Sequence, residues 1–246
     1  MIRLLRERDH RQELMDEVQA GGAELLETYR HLRHLNFIFG AAAPVLYGVK
    51  RLWNIYRRPK RLTVLDIGAG SGDVNKRLLR FAERHQIEMR VILVDRSEEA
   101  CATARQYFAD DARVEVRKLD LFTIPPRCAD IVTASQFVHH FTSEELPSIM
   151  ERLVNISRMG VVLGDIHRHV IPWAAVWVTT RLISRNRYIR HDGPLSVARG
   201  FRSSDWRQLR DALPDYDLRY AWRPMFRYAV IVRPKETAGD ALHMST

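Results

Sequence analysis

From Leu62 to Ile166 the chain alternates short apolar runs with amphipathic stretches, and this alternation restricts its fold more than any other feature. "LTVLDIG", "MRVILVD", "VEVRKLD", the start of "ADIVTASQFVHHF" and "GVVLGDIH" read as five strands. "DVNKRLLRFAERHQ", "SEEACATARQYFA" and "SEELPSIMERLVNIS" read as the helices between them, with Ser97 and Ser143 as N-caps of the last two. Strands that are apolar on both faces and separated by helices form a parallel sheet covered on both sides. Right-handed crossovers then make an open, doubly wound α/β sheet. Ligands of such sheets bind at the carboxyl ends of the strands.

The flanks complete the plan. Residues 1–60 read as helical and are expected to form an N-terminal cap, with "RQELMDEVQ" as its first helix. A second helix covers "AELLETYRHLRHLNFIFG", and a third runs from Pro44 to Tyr56. Residues 61–235 form the main domain, and 236–246 a loose tail. After Asp165 the alternation lapses into an insertion at about 168–203, helical at first and then a loop through "HDGP". "SSDWRQLRDALP" is a capped helix, and "YDLRYAWRPMFRYAVIVRP" an antiparallel hairpin turning near Arg223-Pro224.

Gly68, Gly70 and Gly72 follow the first strand in "VLDIGAGSGDV". Three glycines in five residues imply a tight turn and a ligand lying close to the backbone at a helix N-terminus. A nicotinamide fingerprint, GxGxxG, would put the third glycine one residue later. No GxxxxGK[ST] loop is present, which argues against a nucleotide triphosphatase. Here an acid, Asp66, precedes the glycines, and Asp95 and Asp120 close the next two strands.

In these residues the chain resembles the class I S-adenosylmethionine-dependent methyltransferases, over roughly Thr63 to Gly164. The resemblance implies a Rossmann-like, mostly parallel seven-stranded sheet whose last strand is antiparallel. It implies S-adenosyl-L-methionine as cofactor and no metal. The loop from Asp66 through Gly68, Ala69 and Gly70 to Gly72 would cradle the cofactor's methionine part. Asp95, with Arg96 beside it, would bind the ribose hydroxyls, since a carboxylate accepts both hydrogen bonds of a diol. Asp120 and Leu121 would meet the adenine, and Ser135 and Gln136 in "SQFVHHF" would lie on the side of the reactive methyl.

Methyl transfer needs positioning, plus removal of a proton where the acceptor carries one. His139 and His140 after the fourth strand, and His167 after the fifth, are the candidate bases, with His140 preferred. The plainer reading is that the histidine pair only packs beside the cofactor. "HDGPLSVARGF" loosely resembles bacterial methyltransferases of polyketide phenols or quinones. The expected acceptor is therefore a small hydrophobic aromatic, methylated on oxygen, as in secondary metabolism. Pro172, Trp173, Val176, Trp177 and Leu182 would line its pocket, lie against a membrane surface, or simply pack on the sheet.

Formal charge is +9, and between Asp165 and Arg233 the basic residues are thirteen arginines with no lysine. That composition keeps an RNA-modifying enzyme as an alternative, or else a solvated basic face. The [DNS]PP[YFW] motif of amino-directed nucleic-acid enzymes is absent, as are a strand-end catalytic cysteine and a Lys-Asp-Lys-Glu set, so nucleic acid is the weaker expectation. A cofactor-binding partner subunit without turnover is the other alternative. Cys101 and Cys128 form no metal-binding pattern and read as reduced thiols. With no apolar leader or long apolar span, the expected location is the cytoplasm.

Overall fold

The structure is a computed structural model and describes residues 5–16 and 21–235. Seven strands form one sheet: β1 (Arg61–Ile67), β2 (Glu88–Asp95), β3 (Val114–Lys118), β4 (Ala129–Ser135), β5 (Ser157–Ile166), β6 (Tyr216–Arg223) and β7 (Arg227–Pro234). Their order across the sheet is β3-β2-β1-β4-β5-β7-β6. The first five pair in parallel, and β7 runs antiparallel to both β5 and β6. The order reverses at β1 and β4, which puts a crevice at their carboxyl ends.

Eight helices complete the described residues: α1 (Gly22–Ile38), α2 (Ala42–Ile55), α3 (Asn75–His85), α4 (Glu98–Tyr107), α5 (Leu146–Ile156), α6 (Val170–Ile183), α7 (Arg187–Arg199) and α8 (Ser203–Asp211). On one face, Leu153 of α5 and Trp206 of α8 join Val132, Leu163 and Val230 of the sheet. On the other, Val49 and Leu52 of α2 and Leu78 of α3 meet Val64, Val91 and Val162. α2 therefore belongs to the sheet's core. At Gly48 a Cβ would stand 2.3 Å from Val162 Cγ1, so the two elements touch almost backbone to side chain.

Several local expectations are corrected. Leu14–Asp16 is only a short 3-10 turn, and Val18 of the expected first helix lies outside the described residues. The turn persists because the Asp192 carboxylate of α7 accepts from the backbone N–H of Leu14 and Met15, at 2.9 and 3.0 Å. Tertiary hydrogen bonds here override helix propensity. Ser97 does cap α4, accepting from Ala100 N, but Ser143 does not cap α5. Thr142 and Glu145 bond to each other's backbone N–H instead, at 2.7 and 3.4 Å. The expected "HDGP" loop is helix α7, which continues through Pro194. Gly193 permits this by letting α7 approach α6: a Cβ there would lie 2.9 Å from Thr180 Cγ2.

Among the described residues, no helix is long and apolar enough to cross a membrane.

Candidate active site

A cavity of about 930 Å³ opens at the carboxyl ends of β1, β2 and β4, under α1 and the N-terminal segment. It lies at the upper end of the roughly 300–1,000 Å³ range of ligand sites, with room for a cofactor and a small acceptor side by side. Every residue expected to bind the cofactor borders it except Gly72.

The three glycines have different tasks, although all take positive φ, at +62, +55 and +71°. A Cβ at Gly68 would stand 2.3 Å from Phe137 Cδ2, and one at Gly72 would stand 2.4 Å from Leu93 Cδ1. Those two serve the protein's own packing. At Gly70 a Cβ would meet nothing nearer than Tyr29 at 3.8 Å, so this position faces the cavity and leaves it open to a ligand.

Asp95 holds the loop. Its carboxylate accepts from the backbone N–H of Gly70 and of Ser97, each at 2.9 Å. Burial raises its pKa above the ordinary carboxylate value, against the opposing pull of those N–H groups. Each oxygen keeps a lone pair for a diol. Asp66 is buried at the base of the cavity, accepting from Thr133 Oγ1 at 2.7 Å and Asn75 Nδ2 at 2.6 Å. Burial pushes its pKa up to about 6, and these two bonds oppose the rise. It ties β1 to β4 and to the start of α3 beneath the glycine loop. Asp120 caps the turn after β3, accepting from Phe122 N at 2.8 Å, with Leu121 beside it on the cavity wall. Gln136 has left-handed backbone, φ 53°, and its side chain bridges Asn36 of α1 and the buried Arg227 of β7 at 2.7 and 2.8 Å.

The cavity wall also carries histidines. His139 is buried, with Nδ1 2.7 Å from Asp165 Oδ1 and Nε2 3.5 Å from Glu13 Oε1. Burial alone would lower its pKa, but the two carboxylates raise it to about 9. The two carboxylates thus favour the protonated form of His139. His140 Nδ1 lies 2.6 Å from Asp16 Oδ2, and the two imidazoles stack with centroids 4.5 Å apart. Asp16 also lies 3.6 Å from Arg96, which joins the histidines to the loop after β2. His167 does not border the cavity: it accepts from Trp222 Nε1 at 3.2 Å and meets the edge of the Tyr228 ring.

Tyr29 of the N-terminal helical part borders the cavity, as do Glu13, Asp16, Asn36, Ser196 and Arg199, which were not anticipated. Their elements are remote in sequence, and a strap of buried arginines holds them together. Arg8 donates to the carbonyls of Arg199, His139 and Phe141, at 3.0, 3.2 and 2.8 Å. Arg199 donates to the carbonyls of His139 and Arg11. Ser196 Oγ donates to Glu13 Oε1 at 2.7 Å. Arg168, Arg199 and Arg227, counted in the sequence as part of a basic bias, are buried and bind carbonyl or carboxamide oxygens. The expected pocket residues of α6 (Pro172, Trp173, Val176, Trp177 and Leu182) do not border the cavity; α7 contributes its wall instead.

Glu13, His139 and His140 each offer one ligand atom, all within 4.8 Å of one another, the one such group among the described residues. A cation there would have to displace the proton that His139 holds up to a pKa of about 9.

Residues 64–160 match the family model described as a methyltransferase domain. A SAM-dependent methyltransferase from Aquifex aeolicus superposes with a TM-score of 0.57 at 16% identity, over 84% of this chain and 97% of that one. Human N-acetylserotonin methyltransferase, in complex with SAM, gives 0.57 at 15% identity, over 86% of this chain and 56% of that one. The CMeT domain of the citrinin polyketide synthase gives 0.54 at 16% identity, over 74% and 50% respectively. This chain thus spans only about half the length of the latter two. No curated protein sequence matches it.

Sheet order, reversed last strand and glycine-loop crevice define the Rossmann-like methyltransferase fold. Residues 64–160 carry a methyltransferase domain with the fold of S-adenosylmethionine-dependent methyltransferases, and its cofactor is S-adenosyl-L-methionine. The open face at Gly70 and the carboxylates of Asp95 and Asp120 fit that cofactor.

Proposed function

We propose that this enzyme methylates the oxygen of a small hydroxylated aromatic, a phenol, quinol or polyketide-type ring. The observation that carries this reading is the His140–Asp16 pair, 2.6 Å apart on the cavity wall. An imidazole beside a carboxylate can accept the acceptor's proton as the methyl is transferred, because the carboxylate stabilises the imidazolium that forms. The cofactor, when bound, supplies a sulfonium methyl group for in-line transfer to the acceptor oxygen.

His139 is a positioning residue. Clamped between Asp165 and Glu13, it fixes the neighbouring His140 ring by stacking and holds Glu13 at the cavity wall. Phe137 and Phe141, in edge contact at 5.2 Å, supply an apolar wall beside these polar groups. The mixture suits a flat ring bearing several hydroxyls better than a purely apolar acceptor.

The test uses cofactor labelled on its methyl group, incubated with the protein and a panel of phenols or a host extract. Label should enter organic-soluble material as a methyl ether. His140→Ala should lower turnover by about 10²–10⁴-fold, the range of general-base catalysis, with cofactor affinity kept. Asp16→Asn should lower it in the same direction. Label in RNA, or on carbon of the product, would overturn the oxygen reading. An unchanged rate in His140→Ala would remove His140 as the base.

A further inference from the structure

Helix α6, Val170–Ile183, is apolar on every side, and its one charged residue is Arg181 in the last turn. A helix of that composition is ordinarily buried or in contact with lipid. Here only Pro172 and Thr180 are buried. Ile171 is 55% exposed, Trp177 40% and Leu182 80%, and Val170, Val178 and Ile183 are exposed as well. The apolar surface continues past the first turn. His169, which caps α6, stacks on Phe226 at 5.4 Å, and exposed Trp222 of β6 meets that ring edge-on at 6.1 Å.

We infer that this face docks on the surface of an anionic lipid bilayer, with α6 lying in the interfacial plane. Fourteen residues make a helix of roughly 21 Å, too short for a hydrocarbon core of about 30 Å but suited to lie along it. The charge pattern selects the partner. From Arg168 to His191 the chain has five arginines and no acid. Arg168 is buried and Arg187 pairs with Glu24 at 3.1 Å, but Arg185 is exposed. Arg181 lies 3.9 Å over the ring of Trp177, a tryptophan–arginine pair of the kind that anchors at the boundary between acyl chains and headgroups. A second copy of the chain would bring a like-charged segment against this one, whereas phosphate headgroups complement it. Docking also places α7, which carries Ser196 and Arg199 of the cavity wall, next to the membrane.

The full-length protein is mixed with vesicles of phosphatidylcholine alone, or of phosphatidylcholine with phosphatidylglycerol, and binding is read by flotation and by tryptophan emission. Binding to the anionic vesicles, weakened by salt and shifting the emission to the blue, is the expected result. Val178→Asp with Leu182→Asp should reduce binding at least tenfold, and Arg185→Glu by about fivefold or more. Cofactor affinity, measured by calorimetry, should stay unchanged in both variants, which shows that they are folded. No binding of the native protein to anionic vesicles would overturn the inference. So would a native dimer that the α6 substitutions convert to monomer, since α6 would then be a subunit interface.

Discussion

Replacing Gly70 and Gly72 separately by alanine should divide ligand contact from internal packing within one loop. Both residues have φ well inside the left-handed region, at +55 and +71°, so each alanine costs about 1–2 kcal/mol in backbone strain. They differ in what the new methyl meets. At residue 72 it would stand 2.4 Å from Leu93 Cδ1 and 3.0 Å from Phe108 Cε2, and both side chains are buried. Overpacking of that kind adds about 1–3 kcal/mol. Gly72→Ala should therefore lose roughly 2–5 kcal/mol, and for a domain of this size each kcal/mol lowers Tm by about 2–4 °C. Gly70→Ala carries only the backbone cost, because its methyl would meet nothing of the protein closer than 3.8 Å. That methyl would instead occupy cofactor space, so S-adenosylmethionine affinity should fall while the fold persists. Thermal denaturation followed by circular dichroism reads the first effect, and titration calorimetry of cofactor binding to the folded variants reads the second. Equal melting temperatures for the two variants would refute the packing argument. Native cofactor affinity in Gly70→Ala would refute the claim that this position faces the ligand.

Two further outcomes follow from the histidine cluster. His139 titrates at about 9 in the fold against 6.5 in an unfolded chain, so its contribution, of the order of 3 kcal/mol, is fully present below pH 6.5 and lost as pH rises through 9. Urea midpoints of the native protein should fall over that window, and those of His139→Gln should be lower at pH 6.5 and change less; parallel curves would remove His139 as the titrating group. Dialysis against a chelator should leave methyl transfer unchanged, because a proton and two carboxylates already satisfy His139. Loss of activity restored by a divalent ion would show instead that Glu13, His139 and His140 hold a metal.

Much of the protein was determined by its sequence alone. Strand and helix periodicity, the glycine spacing and the acids at strand ends act over a few residues, and the backbone's local geometry turns them directly into β1 to β5, the loop and the Asp95 and Asp120 positions. The histidine part of the cavity was decided by tertiary structure. Glu13 and Asp16 sit in a segment whose helical pattern gave no sign that they would face His139 and His140, and Arg8 bonds Phe141 across 133 residues. Pairings of that separation leave no periodic trace, because each depends on a single carboxylate or guanidinium finding its partner once the sheet has formed. The same holds for the arginines after β5. Composition reports their number, but only the fold buries Arg168, Arg199 and Arg227 as struts and leaves α6 with its apolar face to solvent.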